Sequence, residues 1–331
     1  MTIFEIGITP PPFPLAILSL FIGGGIGVII AGYAFICLVF GTTFLAIKIG
    51  LNAGLPPLFM AAVRFGLAGL LLLPYFSYRK IRFPKTAREY AEIAWLGVLM
   101  TAIPFAALFW AEQYLASGMA SLLVATSPAF IGIFGRLKRS QIAGLAVSFA
   151  GIALVVSPDL ADGEQAWRNF AAMAAIVLSE GAFAYGVVRS KKMLAGDVSP
   201  QMFNGLQMLF ASALLFAISL FTEGMPAAGA LSVPSAASVL YLSVVASIAA
   251  SGVYYWLVKM TNPMFPTTWT IVSPVVATIA GAVLLGETFT WIGAAGTVLT
   301  LAGIFLVNRD ILGMFLREKN EQGSIGVGSS D

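Results

Sequence analysis

The 331-residue chain contains no histidine and a single cysteine, Cys37. One thiol closes no disulfide within the chain. With neither histidine nor a second cysteine, thiolate zinc sites, Cys–His pairs and Ser–His–Asp triads are excluded. Charge is scarce as well: only 10% of residues are Asp, Glu, Lys or Arg, against about 25% in soluble domains. A water-facing surface cannot be covered with so little. No phosphate-binding Walker sequence occurs, which argues against direct ATP drive. No polar stretch is long enough to form a second, soluble domain. No positively charged stretch precedes the first apolar run, which argues against a secretory signal.

What the chain has instead is apolar length. Hydrophobic residues make up 59% and the mean hydropathy is +0.93. Ten apolar segments can be marked, at 31–51, 56–76, 91–113, 117–135, 141–157, 168–188, 199–221, 236–259, 264–285 and 291–307. Each approaches the roughly 20 residues that a spanning helix needs. The expected fold class is an all-α polytopic membrane protein with ten transmembrane helices, in contact with the lipid bilayer.

Basic residues give the orientation. Arg79, Lys80, Arg82, Lys85, Arg88, Arg136, Lys138, Arg139, Arg189, Lys191, Lys192, Lys259, Arg309, Arg317 and Lys319 all fall on one side of a ten-helix threading. The other side has Arg168 alone, with Asp159, Asp162, Glu164 and Glu223. Both ends of the ten-helix core, and a polar tail at 308–331, are therefore expected in the cytoplasm. The net charge of +3 is a property of one membrane face, and no nucleic-acid partner is expected. Residues 1–30 form a separate apolar extension. Nothing from Ile6 to Ile47 is charged, and as one helix that stretch would run about 63 Å, twice the hydrocarbon thickness. A break at Gly23-Gly24-Gly25 or Gly27 is expected.

The chain repeats itself. Written beneath residues 95–128, residues 241–274 put Trp110 on Trp256, Ser127 on Ser273 and Pro128 on Pro274, without a gap. Further on, Ala150-Gly151-Ile152 falls on Ala302-Gly303-Ile304, and Phe44 falls on Phe183 in a weaker match of segments one and six. The repeats span 31–157 and 168–307, five segments each. An odd number reverses the second half, so the repeats are inverted. That architecture recurs in secondary transporters, with a solute site near the midplane between the halves.

The runs FGTTFLAIKIGL (40–51), LPPLFMAAVRFGLAGLLLLP (55–74), AEQYLASGMASLLVATSPAF (111–130) and SPVVATIAGAVLLGETF (273–289), in this order and spacing, resemble EamA-type members of the drug/metabolite transporter superfamily. The resemblance covers about residues 31–308. It implies a ten-helix inner-membrane carrier, usually an exporter of amino acids or other small metabolites. Two features depart from the family pattern. The first half lacks the Gly-Glu turn, and Phe40 stands where the family usually has tryptophan.

Ionisable groups within a bilayer are costly and usually functional, and four fall inside segments. Lys48 either lines the path or reaches to the interface along its alkyl stem. Arg64, which keeps its proton, is either a fixed charge for an anionic solute group or a partner for helix ends or Glu112. Glu180 interrupts a long apolar run and must face a cavity or hold its proton. It would serve as a proton carrier, as a partner for a solute ammonium, or as a neutral hydrogen-bonding group between helices. Among aromatics, Trp110, Trp256, Tyr185, Tyr255 and Trp269 are candidates for the wall of the path. Pro128 and Pro274 are candidate kinks for gating, and Glu287 is expected to serve the turn before the tenth segment. The stripes Gly144, Ser148, Gly151 and Gly296, Thr300, Gly303 read as close helix packing.

The function expected is secondary transport of a small-molecule substrate by alternating access, with protons as the candidate coupling ion. No enzymatic activity, cofactor or metal is expected, and the oligomeric state expected is a monomer or weak dimer. A nucleotide-sugar or lipid carrier of the same fold is the nearest alternative. A membrane scaffold or receptor without transport is the alternative of another class.

Overall fold

The computed structural model describes residues 26–79, 81, 83–127, 130, 134, 139–156, 163–194, 198–260, 266, 269–286, 291–303 and 305–306. Each of the ten expected segments carries helix there. They are α1 (Ile26–Asn52), α2 (Pro57–Tyr78), α3 (Ala87–Ala111), α4 (Ser117–Val124), α5 (Arg139–Val156), α6 (Gly163–Leu194), α7 (Pro200–Thr222), α8 (starting at Val233 and ending at Met260), α9 (Trp269–Leu285) and α10 (Trp291–Gly303). Six of these are long and apolar enough to cross a membrane as they stand, namely α1, α2, α3, α6, α7 and α8. Gly27 lies inside α1 and does not break it. The Gly23-Gly24-Gly25 run lies outside the described residues.

Local chemistry sets the helix ends. Gly54 turns the chain between α1 and α2 at φ +92°, a conformation that a side chain would oppose. Pro57 then opens α2, where a missing N–H costs nothing. The charged loop before α3 ends in a capping box: Thr86 Oγ1 accepts from Glu89 N (3.2 Å), and Glu89 Oε2 accepts from Thr86 N (3.1 Å).

Two of the spanning helices are not regular. α3 widens to a π-helical stretch at Val98–Ala102, and α8 does so at Tyr241–Ala250. The alignment that puts Trp110 on Trp256 puts the first stretch inside the second. Wide turns of this kind are uncommon and collect at functional sites.

The twofold relation between the halves is visible in side-chain contacts. Superposing Pro57 on Pro200, the residues that open α2 and α7, puts Gly66 on Leu209 and Gly69 on Ser212. In the structure Gly66 faces Ser212 and Gly69 faces Leu209, so each contact is the other with its partners exchanged. Contacts that run forward on one helix and backward on the other also mean that the helices are antiparallel. Ser212 Oγ donates to the carbonyl of Ala62 (2.8 Å) across this crossing. α5 and α10 behave alike. A Cβ on Gly151 would collide with Thr300, and one on Gly303 would collide with Ser148. Ser148 Oγ and Thr300 Oγ1 each point to the other's carbonyl (3.4 and 3.5 Å). Small residues let backbones approach closely where lipid supplies no hydrophobic drive between helices.

The largest buried cluster lies between the halves. It joins Phe44 and Ile47 of α1, Met60 and Phe65 of α2, Phe109 of α3, Leu123 of α4, Ile176 of α6, Met208 of α7 and Leu242 of α8. A second cluster, around Ile36, Val39, Val253 and Leu257, joins α1 to α8.

Candidate functional site

Polar groups gather at the edge of the main cluster, toward the face that carries the α1–α2, α3–α4 and α7–α8 turns. Arg64 sits in the second turn of α2 and is 5% exposed. Its Nε donates to Ser247 Oγ (3.2 Å), in the π-helical stretch of α8. The guanidinium lies 4.8 Å from the ring centre of Phe65, 5.0 Å from Phe105 and 6.0 Å from Phe109. Ring faces favour a cation at this range, and a planar guanidinium stacks on them better than an ammonium does. Nη1 is buried and has no hydrogen-bond partner among the described residues. Glu112 is fully buried and lies with Tyr241 within electrostatic reach of Arg64. The Tyr241 hydroxyl in turn pairs with Thr42 Oγ1 (2.6 Å) on α1. Four helices thus supply polar groups to one place.

Lys48 reaches the same region but meets backbone. Its Nζ donates to the carbonyls of Glu112 (2.6 Å) and Leu115 (2.9 Å). These lie just past the end of α3, where carbonyls have no intrahelical partner and a cation meets the negative end of the helix. The ammonium therefore ties α1 to the α3–α4 turn.

A group that sequence reading assigned only to a loop does comparable work. The carboxylate of Glu223, just past α7, accepts from Leu58 N (2.9 Å) and Phe59 N (3.0 Å) at the start of α2 and from Ser219 Oγ (2.7 Å). Pro56, the residue before α2, has no side chain able to cap it. The Pro-Pro pair was the available signal: it announces free amides that need an acceptor from elsewhere.

Glu180, on α6, is 5% exposed and is hydrogen-bonded to the Ser127 hydroxyl beyond α4. The position equivalent to Glu180, by the match of Phe44 to Phe183, is Gly41. Gly41 lies closest to the Val276 side chain on α9, with the Ser273 carbonyl beside it, and Ser273 is the equivalent of Ser127. The carboxylate thus occupies one member of a symmetric pair of contacts and glycine the other.

The aromatic candidates separate. Trp110 is half-buried on the main cluster and meets Tyr114 edge-on at 5.4 Å. Trp256 and Trp269 pack on the α1–α8 cluster, where Trp269 lies 4.8 Å from Phe40 and the Trp256 Nε1 is buried with no hydrogen-bond partner among the described residues. Tyr185 is 45% exposed and meets Phe134 edge-on. Pro274 lies inside α9 beside Ser273, whose hydroxyl pairs with Ser121 at 2.9 Å. The side chain of Tyr255, and the whole of Pro128 and Glu287, lie outside the described residues.

The sequence profile of the EamA-like transporter family matches residues 25–157 and again residues 170–309. The chain belongs to this family. It is 31% identical over 258 residues to "Uncharacterized inner membrane transporter YedA" of Escherichia coli, covering 76% of this chain and 81% of that protein. It is 28% identical over 287 residues to "Probable amino-acid metabolite efflux pump" of Salmonella typhimurium, covering 82% and 91%. A solved crystal structure shares the fold at a TM-score of 0.59 and 16% identity, covering 84% of this chain and 95% of that one. This EamA-like chain is thus a helical membrane protein with a transport role.

Proposed function

We propose that the protein exports amino acids or closely related small metabolites across the inner membrane by alternating access. Both ends of its ten-helix core are cytoplasmic in this reading. The observation that carries it is Arg64, a buried cation among three phenylalanines, with an Nη1 that has no hydrogen-bond partner among the described residues. A fixed guanidinium with a spare donor suits the carboxylate that every amino acid has, and carboxylates pair with it at close to ideal geometry. The Salmonella relative named as an amino-acid metabolite efflux pump supports the same class of cargo. Glu180 is the group proposed to carry a coupling proton: it is a buried carboxyl with a hydroxyl partner in a chain without histidine.

Purified protein in liposomes, offered an equimolar mixture of the twenty standard amino acids, tests the reading. Counterflow of at least one of them is expected, and Arg64→Lys retains part of it while Arg64→Gln abolishes it. Glu180→Gln keeps counterflow and loses accumulation driven by a proton gradient. Absence of counterflow for all twenty amino acids overturns the cargo class. Full gradient-driven accumulation by Glu180→Gln removes that residue from coupling.

A further inference from the structure

The superposition that reveals the α2–α7 crossing carries one more pair: it places Arg64 on Gln207. The two side chains are equally buried, at 5% exposure. Each also ends in a polar atom with no hydrogen-bond partner among the described residues, Nη1 of Arg64 and Oε1 of Gln207. We propose that Gln207 is a second solute-contacting group. In this role it accepts a hydrogen bond from the ammonium or another N–H of a small polar solute on the opposite side of the midplane from Arg64. The proposal rests on the transport reading above and assigns a residue to it.

Three observations carry it. The first is depth. Each residue lies seven positions in from the proline that opens its helix, about 10 Å along the axis. Because α2 and α7 are antiparallel, the two lie at matching depths from opposite faces.

The second is the neighbouring helix. Arg64 bonds Ser247, in the π-helical stretch of α8. The residue that aligns with Ser247 is Thr101, which is buried in the π-helical stretch of α3. α7 packs on that stretch, and a Cβ on Gly97, the residue before it, would collide with the backbone of Gln207. Both members of the pair therefore sit beside the widened turn of the opposite half.

The third is orientation. Gln207 Nε2 donates to Asn204 Oδ1 (3.0 Å). This anchors the amide by its nitrogen and leaves the oxygen as the spare group. A binding group held by its own neighbour is what recognition requires, and a buried acceptor left unpaired is destabilising unless something completes it. The two ends also differ chemically. Arg64 offers a donor with positive charge and Gln207 a neutral acceptor, so together they suit a solute with a carboxylate and an N–H group. A pair of like charges would instead hold such a solute at one end.

Single-cysteine variants in a Cys37→Ser background test this. The probe is a membrane-impermeant trimethylammonium methanethiosulfonate, applied to vesicles of either orientation. Gln207→Cys is expected to react at least tenfold faster from the face where α7 begins, and Arg64→Cys from the face where α2 begins. Should Arg64→Cys fail to fold, Ser247→Cys reports the same place. The twenty-amino-acid mixture is expected to slow the reaction at position 207 severalfold. A cysteine at 207 that reacts from neither face, reacts from the same face as one at 64, or is not slowed by a mixture that does support counterflow overturns the proposal. Modification needs no flux, so these failures are separate from failure of the transport reading, which counterflow alone decides.

Discussion

A buried ionic group shows its role by what its removal leaves behind. Arg64 has one hydroxyl, three ring faces and the nearby Glu112 carboxylate around it. Replacing it with glutamine leaves Glu112 fully buried without its cationic neighbour. Breaking one side of a buried charged pair costs about 3–5 kcal/mol, whereas removing both sides can be close to neutral. Arg64→Gln is therefore expected to lower the thermal unfolding midpoint in detergent sharply, and adding Glu112→Gln is expected to restore most of it. The double variant still lacks a guanidinium and so stays inactive in counterflow. Equal midpoints for the single and double variants would show that the two residues are energetically independent. Lys48 differs in kind. Its charge is used on backbone carbonyls, so its contribution is to the position of the α3–α4 turn.

At the scale of elements, the reciprocal glycine contacts make a quantitative demand. Gly151 meets Thr300 as Gly303 meets Ser148, so equivalent substitutions in the two repeats should cost the same. Leucine at either position forces α5 and α10 apart, and overpacking of this kind costs about 1–3 kcal/mol or more. Gly151→Leu and Gly303→Leu are expected to shift unfolding in sodium dodecyl sulfate by similar amounts. Gly252→Ala, where a Cβ meets nothing within 4 Å, is expected to leave it unchanged. A large difference between the first two would mean that the α5–α10 crossing is not symmetric in energy. These stripes were legible in the sequence because small residues recur at helical spacing, and the ten segments were legible because apolar runs leave little else to form. The π-helical stretches were not. Val98-Leu99-Met100-Thr101-Ala102 has no distinguishing composition, and a widened turn is set by packing against neighbours rather than by local preference. The equivalence of Arg64 and Gln207 was hidden for a related reason: beyond their opening prolines α2 and α7 match only at Ala68/Ala211, Leu71/Leu214 and Leu72/Leu215, residues common in any apolar helix, and it is the exchange of contacts that reveals the register. Glu112, Lys48 and Arg64 could be picked out as charges in apolar runs, but their partners are backbone carbonyls, rings and a serine more than 180 residues away, which no local pattern encodes.

At the scale of the whole molecule, the inverted arrangement and the charge asymmetry constrain each other. An in-plane twofold axis exchanges the two membrane faces, so the α2–α3 connection and its equivalent, α7–α8, lie on opposite faces, whereas the α2–α3 and α6–α7 connections are separated by four spans. An even number puts these last two on the same face, the one where the basic residues collect. Lys85 lies in the first of these connections and Arg189 near the end of α6, ahead of the second; both are exposed, and Gly229, between α7 and α8, is exposed on the other side of the same threading. Cysteines at 85 and 189 in a Cys37→Ser background are expected to react with an impermeant maleimide only in inside-out vesicles, and one at 229 only in intact cells. The asymmetry of basic residues sets the sign of this result, and the antiparallel α2–α7 contacts require 85 and 189 to share a face whichever sign it takes. Reaction of 85 and 189 only in intact cells, and of 229 only in inside-out vesicles, would reverse the orientation and leave the fold intact. Reaction of 85 and 189 from opposite faces could not be reconciled with the exchanged contacts of Gly66 and Gly69, and would require a different count of spans between them.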